Sequence, residues 1–582
     1  MKGFADIHAH PMGHLAFGGH LIWGRPDGPL AEALAPCDGT NHTARSKLAF
    51  VDVAKRVLDV IVRDEGKLTA HPRYGYPAFD GWPAPASMIH QQLHVDWLRR
   101  AYDGGLRLMC ALAVNNRLLG WLMEGGAECW DDESVLAQLR GMRRLAEAPE
   151  NRPWIEIAYG ADDAERIIGS GKLAIILGAE VDQIELFLGH DPSVLALLED
   201  EARRYLCGER SSAARIEALA QTIYDAGIRQ ITPVHFMDNA FGGAALYNDR
   251  VATNIHWLNL WCDGRTTSES GWPEVIAGPD DLETRLQRMQ FSIPRSWSIT
   301  RPPWGGAIER YPQALPNHIN ARGLTDAGRV LLLSLWRRGV LVDVDHMSLR
   351  TKAGALSFAE RLGVPLVSSH CCLRSITLGR AAVGMPEDWW NRWDGRHPND
   401  QPVWPWLRAE GMRSDEDLAR IDRLGGITAP LLRQPAVVKP KEFPNVLSDG
   451  AELAGTTTAA AAAYLHIVGV LGSHSAVAIG TDVNGLAQLP MPSNCCLPTI
   501  SALYESSGLS RATGGDRVWD INADGVAHYG MLPDLLLRWR AEGMTDALLA
   551  PLFRSAQAYV ETLAQAETAA RRLRQSTLEE AG

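Results

Sequence analysis

The chain lacks a disulfide framework. Its nine cysteines are an odd number, none stand in a Cys-x-x-Cys pair, and Cys371-Cys372 and Cys495-Cys496 are adjacent. Neighbouring cysteines make poor ordinary disulfides, so reduced thiols in a cytoplasmic compartment fit best. No apolar run reaches the roughly 18 residues that span a bilayer. The N-terminus has no basic-then-apolar leader, and the polar stretch Ser576–Gly582 gives no sign of a lipid anchor. The expectation is a cytoplasmic protein with no membrane partner. No basic stretch is long enough to track a phosphate backbone, so nothing favours nucleic acid and none is expected as a partner; the formal net charge of −12 supports solubility and decides little else. A fixed-period repeat is also missing, which argues against a solenoid.

What is present is globular: 582 residues, 46% of them hydrophobic, enough for a large core with excursions. Eight short apolar runs between turn signals read as strands. They are Gly3–His8, Leu106–Asn115, Lys172–Glu180, Ile228–Phe236, Val340–His346, Pro365–His370, Gly425–Leu431 and Ala476–Gly485. Helical patterns lie between most of them: His90–Gly104, Ser211–Gly227, Thr325–Gly339, Thr351–Gly363, Asp415–Leu424 and Thr457–Gly472. This alternation predicts parallel strands joined by crossover helices, and eight units predict an α/β fold closed as a (β/α)8 TIM barrel. Such a barrel needs about 250 residues. The excess is expected as long rim insertions at about 11–80, 241–320, 384–412, 433–454 and 486–524, forming a cap over one domain. Trp257, Trp261, Trp272, Trp297 and Trp304 gather in one of them, and Leu532–Arg574 reads as a helical tail packed on the barrel.

Polar residues collect at one end of these strands, the rim where barrel enzymes keep their chemistry. In Asp6-Ile7-His8-Ala9-His10, strand alternation puts Asp6, His8 and His10 on one face, and both imidazoles can reach one metal ion. Glu180 closes the buried run Ala174–Ala179, where a carboxylate needs a partner: an arginine, or two cations that it bridges. His346 and His370 end consecutive strands, each readable alone as a core histidine. His235, after Ile231–Val234, could be a ligand or a substrate-facing electrophile. Asp482 in Gly480–Gly485 could accept a proton from an activated water, or could simply form a turn before Gly485. Together these residues describe a two-metal hydrolase. Divalent ions generate hydroxide and polarise a carbonyl, Asp482 handles the proton, and His235 stabilises the oxyanion. Donors of nitrogen and oxygen without cysteine suit zinc, with manganese, cobalt and iron also open.

The chain resembles the membrane (renal-type) dipeptidase family of the metal-dependent amidohydrolase superfamily. The matching segments are Asp6–His10, Leu177–Glu180, Ile231–Asn239, Gly323–Ser348, Pro365–Arg374 and Ala478–Gly485. The most specific are Gly323–Arg329 followed by Leu341–Ser348, and the block Ser369–Arg374. The resemblance implies a (β/α)8 barrel with two zinc ions held by His8, His10, Glu180, His346 and His370, with Glu180 bridging. It implies His235 as the substrate-polarising residue, Asp482 as the proton-handling one, and an arginine for the substrate carboxylate, Arg380 or Arg374. By the same analogy the chain is a homodimer acting on a small molecule.

Several differences stand out, among them the long inserts, which add hundreds of residues near the presumed site. The family has His-x-Asp on its first strand where this chain has His8-x-His10. The seventh strand lacks a polar aromatic residue, and the tail reads Ser555–Tyr559 in place of a Gly-Gly-Asn stretch. They bear on the substrate more than on the metal chemistry. The expected function is therefore hydrolysis of a dipeptide or N-acyl amino acid. The alternatives are a lactone, cyclic amide or ester as substrate, and a non-catalytic barrel that keeps a structural metal.

Overall fold

The computed structural model describes residues 3–37, 74–122, 130–190, 192–245, 275–277, 318–376, 411–434, 455–493 and 500–575. Its strands are β1 Phe4–Ala9, β2 Leu106–Asn115, β3 Ile155–Ala158, β4 Leu173–Val181, β5 Gln230–Thr232, β6 Val275–Ala277, β7 His318–Asn320, β8 Leu341–Val342, β9 Val367–Cys371 and β10 Ile427–Pro430. The architecture is mixed α/β around a curled parallel sheet ordered β1-β2-β4-β5-β8. β3 joins β4 through Leu173–Ile176, and β5 joins β4 farther along, through Gly178–Glu180. β9 and β10 form a parallel pair. Single parallel bridges connect Asp343 to Val367, Thr428 to Val477, Leu431 to Gly480, and Asp6 to Ile479. β6 and β7 make a separate antiparallel hairpin.

β2 and β4 are apolar apart from Arg107, Asn115 and Glu180, as suits strands covered on both faces. On β2, Leu108, Cys110 and Leu112 enter one hydrophobic cluster with Ala174, Ile176, Leu341, Val367 and Ile427. Met109, Ala111 and Ala113 enter the other, beneath the helices. The period-2 strand separates an inner core from an outer one. Glu180 shares its face of β4 with Ala174 and Ile176, so the strand delivers its carboxylate inward.

All six expected helices form, and several are capped by a hydroxyl residue. Thr325, Ser348, Ser414 and Thr456 each accept a backbone N–H two or three residues into the helix, and Ser414 completes a capping box with Asp417. Further helices were not foreseen, the longest being Asp131–Glu147, Pro192–Leu206 and Ala161–Gly169. Among the described residues, no helix is long and apolar enough to cross a membrane. The tail comprises Leu532–Ala541, Asp546–Phe553 and Ser555–Gln575. It grips β1 from below: Gly3 N–H donates to the Phe553 carbonyl at 2.9 Å, and Ala5 N–H to Ser555 Oγ at 2.8 Å.

Of the expected insertions, the described parts of 11–80 and 486–524 carry short elements, among them the helices Leu30–Ala33 and Ile500–Ser507, and share an aromatic core with the segments beside them. Trp97 stacks on His528 at 4.1 Å and Phe79 lies against Trp82 and Trp519. The five tryptophans 257, 261, 272, 297 and 304 lie outside the described residues, as do most of 241–320 and of 384–412 and 433–454.

Candidate metal centre

The structure gathers seven of the residues singled out from sequence. Glu180 stands at the middle. Its Oε1 lies 3.2 Å from His346 Nε2 and 3.8 Å from His370 Nε2. Its Oε2 lies 3.1 Å from His8 Nε2, 3.5 Å from His10 Nε2 and 3.8 Å from His235 Nε2. Asp482 Oδ1 is 3.0 Å from His10 Nε2 and 3.7 Å from His8 Nε2. Two donor sets able to hold a metal ion follow: His8, His10, Glu180 and Asp482, and separately Glu180, His346 and His370. Glu180 belongs to both. A third set, His8, Asp343 and His370, lies on the far side of the same rings.

The outward ring nitrogens of His8, His10 and His370 are engaged elsewhere. His10 Nδ1 donates to the Leu112 carbonyl at 2.9 Å. His8 Nδ1 lies 2.6 Å from Ser369 Oγ, whose own proton goes to Asp343. Asp345 accepts the His370 backbone N–H at 2.8 Å and lies 3.4 Å from His370 Nδ1. Partners of this kind fix the tautomer and leave the inner Nε2 as a lone pair. For His10 that lone pair faces two carboxylate oxygens, an arrangement that demands positive charge between them, as a proton or a cation. His346 and His370 bring their Nε2 atoms to 2.7 Å of each other. Glu180 Oε1, fully buried, has no hydrogen-bond donor. Nitrogen lone pairs and an unpartnered buried carboxylate oxygen converging on one spot are the donor chemistry of a divalent cation.

The electrostatics follow from this crowding. Burial disfavours a charged His10, but Asp482 and Glu180 outweigh it and push its pKa up to about 10. Burial, reinforced by the neighbouring His8, lowers His370 to about 3. Burial also works against the Glu180 charge, yet His8, His235 and His346 hold it well below the usual carboxylate range. Asp343, buried beside Asp345, is raised to about 8. Asp345 goes the other way, to about 2, because Arg413 overcomes its burial.

Backbone geometry is special here too. His346, Asp482 and Asn484 have φ of 65°, 51° and 62°, a region that non-glycine residues visit rarely. Gly485 is required for space: a Cβ there would lie 1.9 Å from Asp482 Oδ1 and 2.6 Å from His10 Cδ2.

Of the remaining candidates, His235 is set by Asp182. The Asp182 Oδ1 lies 3.2 Å from His235 Nδ1 and accepts the Phe236 N–H at 2.8 Å, while Oδ2 accepts from Asn116 Nδ2 at 2.6 Å. Arg374 is half-buried, and its charge acts on Lys352. Arg380 lies outside the described residues. Asp6, expected on the metal-facing side, instead accepts from Thr481 Oγ1 at 2.7 Å and Tyr529 OH at 2.9 Å and supports the strand from behind. The sequence reading missed Asp182, Asp345 and Arg413. A carboxylate at every second position of Asp343-Val344-Asp345 and Glu180-Val181-Asp182 was the available signal for the two aspartates.

Its structural neighbours are amidohydrolases and renal-type dipeptidases. They include an amidohydrolase from Pseudomonas aeruginosa, 12% identical with a TM-score of 0.39, covering 82% of this chain and 94% of that one. A dipeptidase of metallopeptidase family M19 is 13% identical with a TM-score of 0.40, over 82% and 89%. A metallopeptidase from Rhodobacter sphaeroides, liganded with a phosphinate mimic of the dipeptide L-Ala-D-Ala, is 13% identical with a TM-score of 0.41, over 82% and 90%. No protein-family model and no curated protein matches the chain.

Proposed function

We propose that this chain is a binuclear metal-dependent hydrolase that cleaves an amide or peptide bond in a small substrate of the dipeptide or N-acyl amino acid type. One observation carries the reading: the two oxygens of Glu180 face two different groups of imidazole nitrogens, His346 and His370 on one side, His8 and His10 on the other. A carboxylate so placed is suited to bridge two cations. His8, His10, Glu180, His346 and His370 are the ligands in this reading, and zinc matches their nitrogen and oxygen donors. The parallel bridges from Asp343 round to Asp6 support closure of the sheet into a (β/α)8 barrel, one domain whose insertions cap the rim.

Two divalent ions would make water acidic enough to ionise near neutral pH and would polarise the scissile carbonyl. Asp482 takes the proton of the attacking water and delivers it to the leaving amine. His235 points Nε2 into the site and donates to the carbonyl oxygen as charge develops there. For that it must be protonated on both nitrogens. Burial opposes this charge, but Glu180 and Asp182 together raise its pKa. Arg374 or Arg380 holds the substrate carboxylate.

Elemental analysis of the purified protein tests the core of this reading. About two ions per chain are expected, with fewer in Glu180→Ala; one ion or none in the unmodified protein refutes it. The His8-x-His10 pair favours a second substrate class, a lactone, cyclic amide or ester. Parallel panels of dipeptides and of lactones and esters, with zinc added, separate the two.

A further inference from the structure

Arg413 is fully buried, though nothing in the proposed chemistry uses it. Its guanidinium spans two neighbouring strand ends. Nε donates to Asp345 Oδ1 at 2.9 Å and to Ser368 Oγ at 3.2 Å, and a terminal nitrogen donates to the Val344 carbonyl at 2.6 Å. Ser368 Oγ in turn donates to Asp345 Oδ1 at 2.6 Å. The free oxygen of the same carboxylate receives the backbone N–H of His370. The Arg413 backbone is tied to this strand as well, donating to the Cys372 carbonyl at 2.8 Å and accepting from Arg374 N–H at 3.0 Å.

The segment that carries Arg413 is itself anchored. Buried Lys352 donates to Asp417 Oδ2 at 2.6 Å, and Asp417 closes the capping box of the helix Asp415–Arg423. A charged fork with fixed geometry therefore locks Val344 and Asp345 against Ser368 and His370, directly behind the two imidazoles whose Nε2 atoms meet.

We propose that Arg413, acting through Asp345, is the positioning residue for the His346–His370 half of the metal centre. It sets the separation of the two rings and so the affinity of the ion they share with Glu180. This rests on the binuclear reading above. Partners one step behind a ligand commonly govern affinity for the metal.

Chelator competition on the full chain loaded with Co2+ alone, with the visible spectrum as a second readout, tests it. The unmodified protein is expected to release two ions in separable steps. In Arg413→Met one step should weaken roughly 10–100-fold while the other holds, with an altered cobalt spectrum. Arg413→Lys keeps the charge without the fork and should fall between the two. It also serves if the Met variant does not fold. Asp345→Asn should reproduce the same selective loss. A role in stability alone would lower the melting temperature and leave both release constants and the spectrum unchanged, which would overturn the proposal. An unmodified protein that holds fewer than two ions would instead overturn the binuclear reading, and this inference with it.

Discussion

Replacing Gly485 with alanine puts a single methyl group into the centre of the candidate site. The added carbon would stand 1.9 Å from Asp482 Oδ1 and 2.8 Å from His10 Nε2. Contacts under 3.0 Å are essentially never seen for a real Cβ, so the Asp482 oxygen must retreat by about 1 Å. Gly485 does not have a positive φ, so the backbone tolerates alanine and steric displacement is the whole perturbation. A shift of about 1 Å in a reacting group costs on the order of 10²-fold in rate, and overpacking costs about 1–3 kcal/mol of stability. The expected result is a kcat/KM some 100-fold lower, a modest fall in melting temperature, and weaker metal retention at His10. Gly169→Ala is the control: nothing lies within 4 Å of a Cβ there. It should leave activity unchanged. A Gly485→Ala enzyme within threefold of the unmodified kcat/KM would refute the placement of Asp482 and His10 in the chemistry.

Two further outcomes follow from the electrostatics. Asp182→Asn should lower kcat by about tenfold or more. Because the imidazolium of His235 is the working form and Asp182 helps raise its pKa, the alkaline limb of the kcat profile should move to lower pH. An unmoved limb would separate Asp182 from His235. Asp417, opposed by its burial but held down by Lys352, titrates at about 2 against an ordinary 3.8. A depressed carboxylate stabilises above its unfolded pKa, so Asp417 contributes about 2 kcal/mol above pH 4 and loses it as pH falls towards 2. Urea denaturation of Asp417→Asn should show that gap to the unmodified protein at pH 6 and a narrower one near pH 2.5.

The ligand candidates were legible because each chemistry-bearing residue ends a strand whose apolar run is obvious: Glu180 after Ala174–Ala179, His370 after Pro365–Ser369. The strand reading weakened where the chain turns. Ala476–Gly485 reads as one extended run, yet only Val477, Ile479 and Gly480 make strand bridges, and Asp482 starts a turn closed by Gly485 N–H on its carbonyl. Asp482 is thus a turn residue and a site residue at once, the left-handed backbone being what aims its carboxylate at His10. β3 escaped notice because Ile155–Ala158 is four residues long with half-exposed Glu156 and Ile157 at its middle. Arg413 could not be assigned from sequence, since its role depends on strands far away in the chain meeting at one end.

The hydrogen bond from Ala5 to Ser555 closes a sequence gap of 550 residues. The strand that carries His8 and His10 is made long before the helix Ser555–Gln575 that completes the scaffold beneath it. At 5–20 residues per second, that interval is roughly half a minute to two minutes. During it the strand lacks the partner that Ser555 supplies to Ala5. This topology ties completion of that strand's surroundings to a late stage of synthesis.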